Sequence, residues 1–199
     1  MENTGPFIER TLVIFKPDTV RRALTGEILT RLERAGLKIV GLKMLQADKQ
    51  TAERHYGSDP DYLRNIGQRT LKTCEDYKLD PLSEIGTSDP LEIGMKVREW
   101  NISFLTSGPI IALVLQGPHA VENVRLLIGN TIPMWAAPGT IRRDYTLDSA
   151  ALANKKSRVA RNLIHASGNK AEAEAEIALW FKPSEICEYI RADESAMFE

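Results

Sequence analysis

The chain is 199 residues long, with 43% apolar and 27% charged residues, an ordinary composition for a soluble domain that buries a real core. Its 26 basic and 27 acidic residues leave a net charge of −1, without the Lys/Arg surplus of a protein that lives on polyanions, so nucleic acid is not expected as its main partner. No apolar run approaches the about 20 residues needed to cross a bilayer, and "MENTGPFIER" lacks the basic flank and apolar centre of a secretion signal.

In chain order, "RTLVIFKPD" (10–18) is a β-branched and aromatic run stopped by Pro17, which predicts a buried strand. "TGEILTRLERAGL" then sets Ile28, Leu32 and Ala35 at helical spacing, with Gly36 as the stop. Residues 37–47 return to strand character, and "DKQTAERHY" (48–56) opens on Asp48 like a capped helix. Residues 57–103 hold two helix-like pieces, "DYLRNIGQRTLKTCEDY" and "DPLEIGMKVREW", separated by a polar, turn-rich stretch around Pro81 to Pro90. "SGPIIALVLQG" (107–117) is a strand, and "PHAVENVRLLIG" is a helix with Ala120, Val124 and Leu127 on one face. A loop from Asn130 to Asp144 and a short helical "DSAALANKK" follow. "VARNLIHAS" then predicts the last strand and "NKAEAEAEIALWF" the last long helix. Asn169 with Glu172 forms its capping box; Ala173, Ile177 and Trp180 form its buried stripe.

This order embeds a βαββαβ pattern, which predicts an α+β, ferredoxin-like sandwich: an antiparallel four-stranded sheet with helices packed on it. The whole of 1–199 reads as a single domain with insertions around 57–103 and 146–158. Cys74 and Cys187 match no metal or redox spacing, so they read as incidental thiols of a reduced, cytoplasmic protein, and any metal would arrive with a ligand.

Of the three histidines, His165 is the one placed where a strand-like run gives way to a helix start. A neutral imidazole is nucleophilic near pH 7 without a separate base. Glu172, Glu174 or Glu176 on the following helix could hold its other nitrogen. The plainer reading is a core histidine satisfied by a backbone carbonyl. Lys16 at a strand end, Arg142 in a turn-rich loop and Arg125 in a helix are cations suited to phosphate, though each alone reads as a solvated surface charge. Neither a P-loop nor a kinase-type metal pair is present.

Four blocks in order carry a resemblance: "ERTLVIFKPDTVRRALTGEIL", "TSGPIIALVLQG", "PGTIRRD" and "RNLIHASGNKAEAEAEIALWFKPSEI". Together they resemble the nucleoside diphosphate kinase family over about residues 9–56, 105–145 and 159–190. The N-x-x-H-x-S segment is highly specific. The resemblance implies transfer of the γ-phosphate of a nucleoside triphosphate to a nucleoside diphosphate through a phosphohistidine, with ping-pong kinetics and little base specificity. It implies His165 as the nucleophile, Glu176 as the carboxylate steadying its ring and Ser167 as that carboxylate's hydrogen-bond partner. Lys16 would meet the sugar hydroxyl and the moving phosphate, and Tyr56 would donate to that phosphate. Arg125, Thr131 and Arg142 would neutralise the β- and γ-phosphates, and Asn162 would bind the sugar. Mg²⁺ would ride on the nucleotide's phosphates, and the partners would be nucleotides and copies of this chain in a hexamer or tetramer built from dimers.

The residue stacking on the base would fall around Val97 or Trp100. Ala166 and Gly168 stand where glycine and aspartate are usual, Arg143 where glycine is and Ile132 where asparagine is. None of these changes removes a group that handles phosphate. The alternative is a non-catalytic nucleotide-binding or assembly module of the same fold.

Overall fold

The computed structural model describes residues 7–198, the side chain of Phe198 excepted. Its strands are β1 (Ile8–Phe15), β2 (Lys38–Gln46), β3 (Pro109–Pro118) and β4 (Ile164–Ala166). The helices are α1 (Pro17–Arg21), α2 (Thr25–Arg34), α3 (Lys49–His55), α4 (Pro60–Asp76), α5 (Pro81–Ile85), α6 (Pro90–Leu105), α7 (Ala120–Ile128), α8 (Ile141–Tyr145), α9 (Ala150–Lys155), α10 (Lys170–Trp180) and α11 (Glu194–Phe198). Among the described residues, no helix is long and apolar enough to cross a membrane.

The four strands pair antiparallel in the order β2-β3-β1-β4, which is the ferredoxin-like α+β arrangement. Both faces of the central strands are covered, so β1 and β3 are nearly continuous apolar runs. The pleat sends alternate residues to opposite faces. Val13 and Phe15 of β1 meet Ile28 and Leu32 of α2 and Val124 and Ile128 of α7 in one core. Leu12 and Ile14 meet Ala52 of α3, Ile102 and Leu105 of α6 and Trp180 of α10 in the other. The chain leaves β1 at Phe15 and enters α1 at Pro17, so Lys16 sits at the strand's end.

Where the structure departs from the sequence reading, the causes are local. The strand expected over "VARNLIHAS" pairs only at Ile164–Ala166, because Leu163 takes a left-handed backbone (φ 68°) that cannot continue an extended ladder. Three one-turn helices, α1, α5 and α8, occupy stretches read as a strand end or loop. In α5 the signal was Asp80 before Pro81: the Asp80 carboxylate accepts from the Leu82 and Ser83 amides, and proline fits the first helical position. α2 stops at Arg34, leaving Ala35 exposed as its cap, and the buried stripe of α7 runs Ala120, Val121, Val124, Ile128, with Leu127 only partly covered.

Residues 60–105 form a helical hairpin, α4 packed along α6. Glycine inside a helix costs roughly 1 kcal/mol relative to alanine, yet both helices carry one where they touch. A Cβ on Gly67 would lie 1.8 Å from the Pro90 carbonyl oxygen, and one on Gly94 2.0 Å from that of Leu63. The hairpin has its own small core of Cys74, Ile85 and Ile93. α9, in the second expected insertion, packs against α4 and α5, in the first.

Candidate active site

β1 and β4 lie side by side, with Ile14 opposite His165, and this pairing places the end of β1 against the N-x-x-H segment. The left-handed Leu163, which costs on the order of 1–3 kcal/mol, is pinned on both sides. Its carbonyl accepts from the Lys16 amide at 2.8 Å and the Thr19 hydroxyl at 2.6 Å, and its amide donates to Asp18 at 3.1 Å. The bend sets Asn162 against Lys16. Lys16 Nζ donates to Asn162 Oδ1 at 2.8 Å, and Asn162 Nδ2 donates to the Thr131 carbonyl at 2.9 Å.

His165 Nε2 lies 2.8 Å from Glu176 Oε1, and the Ser167 hydroxyl donates to Glu176 Oε2 at 2.5 Å. A carboxylate only accepts, so Nε2 carries the ring proton and Nδ1 is left with a bare lone pair. Glu176 is therefore the partner among the three glutamates the sequence left open. Burial pushes the Glu176 carboxyl up, while His55 and the Ser167 hydroxyl pull it down. Burial, with the charges of Lys16, Arg142 and Arg125, lowers the His165 imidazole to about 3. The ring is therefore neutral throughout the physiological range.

Two of the cations are not the solvated charges their local sequence suggests. Lys16 and Arg142 are 7% and 6% exposed. Arg142 donates to the Gly129 carbonyl at 2.8 Å and the Ile164 carbonyl at 2.7 Å, and its buried Nε has no partner among the described residues. Burial and then the Arg142 charge lower Lys16 to about 8; burial and then Arg125 lower Arg142 to about 10. Buried cations that repel one another await an anion. Arg125 and the Thr131 side chain are exposed at the rim, with Arg125 beside Gly168.

Three groups that sequence reasoning did not place in the site complete it. His55, the last residue of α3, stacks edge-on against His165 at 4.4 Å between ring centroids and against Tyr56 at 4.8 Å. Its Nδ1 accepts from Trp180 Nε1 at 3.3 Å and lies 3.4 Å from Glu176 Oε1. Trp180 is four residues beyond Glu176 on α10, so the i, i+4 relation was the available signal. Burial, then repulsion from His165, lowers His55 to about 3, so it too is neutral. Burial raises the Tyr56 hydroxyl above its usual range, keeping it a protonated donor.

Arg98 of α6 is the third group. It donates to the Tyr56 carbonyl at 2.7 Å, to Gly57 at 3.2 Å and to Glu53 at 2.9 Å, satisfying the open carbonyls at the end of α3. An Arg98→Ala chain should lose about 1.5–3 kcal/mol of stability, the worth of charged hydrogen bonds of this kind. Its melting temperature should fall by several degrees; an unchanged melting curve would contradict that role. Val97 and Trp100 are partly buried and pack against the small core of the helical hairpin.

Comparison with known proteins gives the same family from several directions. A family model described as "Nucleoside diphosphate kinase" matches residues 9–62 and 96–186. A nucleoside diphosphate kinase of Pyrobaculum aerophilum is 49% identical over 181 residues, 91% of this chain and 99% of that one. One from Pyrococcus furiosus is 42% identical over 185 residues, 93% of this chain and 90% of that one. A crystal structure of an NDP kinase from P. aerophilum superposes with a TM-score of 0.88 at 47% identity, covering 91% of this chain and 100% of that one. The Borrelia burgdorferi enzyme, solved as a transition-state mimic with bound vanadate and ADP, gives 0.77 at 36% identity, covering 96% and 98%.

Proposed function

The chain belongs to the nucleoside diphosphate kinase family, and from that premise we propose that His165 is the residue through which it works. The enzyme transfers the γ-phosphate of a nucleoside triphosphate to a nucleoside diphosphate through a phosphohistidine, by a ping-pong route and with broad base specificity. The observation that carries the assignment is the His165 ring, with Nε2 tied to Glu176, which leaves Nδ1 as the free nitrogen of a ring on which the charges of Lys16, Arg142 and Arg125 act.

In this reading Nδ1 attacks the γ-phosphorus as the bond to the β-phosphate oxygen breaks, and the nucleoside diphosphate leaves. The ring becomes cationic while it carries the phosphoryl group, and the Glu176 carboxylate, steadied by Ser167, faces the Nε2–H that must hold that charge. A second nucleoside diphosphate then reverses the step. Phosphoryl transfer asks mainly for alignment and for neutralisation of the moving oxygens. Lys16, Arg142 and Arg125 are proposed to supply that charge, Tyr56 a neutral donor and Thr131 a further contact to the phosphates. Asn162 is proposed to hold the sugar, already oriented by Lys16 and the Thr131 carbonyl. Since every one of these positions is occupied, a non-catalytic module is disfavoured.

Mg²⁺ is the proposed metal, carried by the nucleotide. Among the described residues the convergent potential ligands near the cleft are His55, His165 and Glu176, a nitrogen-rich and already bonded set that a hard, oxygen-seeking ion would not choose. The cations fit phosphates instead, and a bound Mg²⁺ would neutralise part of the phosphate charge. Residues 1–199 are read as one domain, with the segments around 57–103 and 146–158 as insertions, and its location as the cytoplasm. A homo-oligomer built from dimers, tetramer or hexamer, is supported by β2, an edge strand that exposes Leu42 and Met44.

Incubation with γ-labelled ATP tests the reading. An acid-labile, alkali-stable label that a nucleoside diphosphate removes is expected; no label would reject it. A second expectation concerns pH. With Lys16 lowered to about 8, its charge is lost as pH rises through that value. kcat/KM, which reports the free enzyme, should therefore fall above pH 8. kcat should fall later, because bound phosphate draws the lysine back up. A flat kcat/KM to pH 10 would remove Lys16 from the charged set.

A further inference from the structure

From the His55–His165–Glu176 cluster we infer a second use of this site: a binding site for a borderline divalent cation of the zinc class that switches the nucleophile off. One ligand atom from each residue lies within 4.8 Å of the others, and all three side chains are rooted in regular structure or its end. Two imidazoles and a carboxylate are a set zinc-class ions choose and Mg²⁺ does not. Tetrahedral bonds of about 2.0–2.1 Å put ligand pairs about 3.4 Å apart. His55 Nδ1 and Glu176 Oε1 already stand at 3.4 Å, His165 Nε2 and Glu176 Oε1, at 2.8 Å, need a small opening, and the two histidines, whose ligand atoms lie within 4.8 Å, need to close. The side chains of His55 and Glu176 are 1% and 9% exposed, while that of His165, at 19%, is the most open of the three.

The consequence follows from proton balance. A neutral imidazole carries one N–H. In the working state that proton sits on Nε2, donated to Glu176. When the ion takes the Nε2 lone pair, the proton moves to Nδ1 and Glu176 Oε1 changes from acceptor to ligand. His55 Nδ1 gives up its bond from Trp180. The nitrogen that attacks phosphorus then has no lone pair to offer. Conversely, a ring phosphorylated on Nδ1 holds its proton on Nε2 against Glu176 and must release it to solvent before the ion can bind there, so phosphorylation weakens the site. This last step rests on the proposed role of His165; the binding site itself does not.

The test measures zinc binding directly, by calorimetry in nucleotide-free buffer with excess Mg²⁺. It uses the full chain with Cys187→Ser, because Cys187 is an exposed free thiol. One equivalent of zinc is expected, with affinity reduced about 100-fold or more by His55→Asn and, independently, by Glu176→Gln. Nitrogen-15 imidazole spectra should show the His165 proton moving from Nε2 to Nδ1, and the phosphorylated chain should bind zinc more weakly. Unchanged binding in both variants, or no stoichiometric binding, would overturn the site. Loss of binding in both variants with equal binding to the phosphorylated chain would keep the site but overturn the switch.

Discussion

A His165→Asn chain is expected to lose phosphotransfer by about four to six orders of magnitude, the scale seen when a nucleophile acting as part of a unit is removed. Asparagine cannot form the P–N bond, yet the cations that grip phosphate remain. Nucleotide binding, followed by calorimetry, should therefore survive within a few-fold. The side chain is partly open to the cleft, and His165 lies at the short end strand, so the fold does not depend on the ring. Retained label from γ-labelled ATP in this variant would place the nucleophile elsewhere. His55 is the nearest candidate it would have to implicate, since its ring lies 4.4 Å away.

The second large effect is expected at Lys16. Lys16→Met should lower kcat by about 10²–10³-fold, the usual cost of one preorganised donor to a developing anion. The ammonium is buried, where a charge interacts far more strongly than in water. It also orients Asn162, which in turn holds the Thr131 carbonyl, so KM should rise as well. Lys16→Arg supplies charge without the compact shape and should recover only part of the loss. It should also move the alkaline fall of kcat/KM to higher pH, because a guanidinium keeps its proton. Full activity in Lys16→Met would show that Arg142 and Arg125 neutralise the phosphates unaided.

Much of this was legible from residues alone. The unbroken apolar runs in "RTLVIF" and "IIALVL" marked central strands because each pleat face meets its own core. The N-x-x-H-x-S block and the carboxylate on the next helix were readable because strand and helix are consecutive, so Ser167 and Glu176 were close in sequence as well as in space. Groups brought in by long-range pairing were harder. Lys16 looked like a surface lysine until β1 paired with β4 and buried it. His55 had no local sign of partnership with His165, because their meeting depends on α3 and α10 packing on the same face of the sheet. Arg98 was hidden for the same reason: its partners are backbone carbonyls some forty residues earlier, invisible to any pattern of side chains. The end of the last strand was misjudged because Leu163, a residue suited to strands, is forced left-handed by bonds to Lys16, Thr19 and Asp18.

The measurement closest to the central claim identifies which ring nitrogen takes the phosphoryl group. The phosphorylated chain, made with ATP and freed of nucleotide, would be examined by phosphorus-31 and nitrogen-15 spectroscopy under denaturing alkaline conditions that preserve the bond. Phosphorus bonded to Nδ1 of His165 is expected, with Nε2 left for Glu176. Phosphorus on Nε2, or on any other residue, would contradict the account.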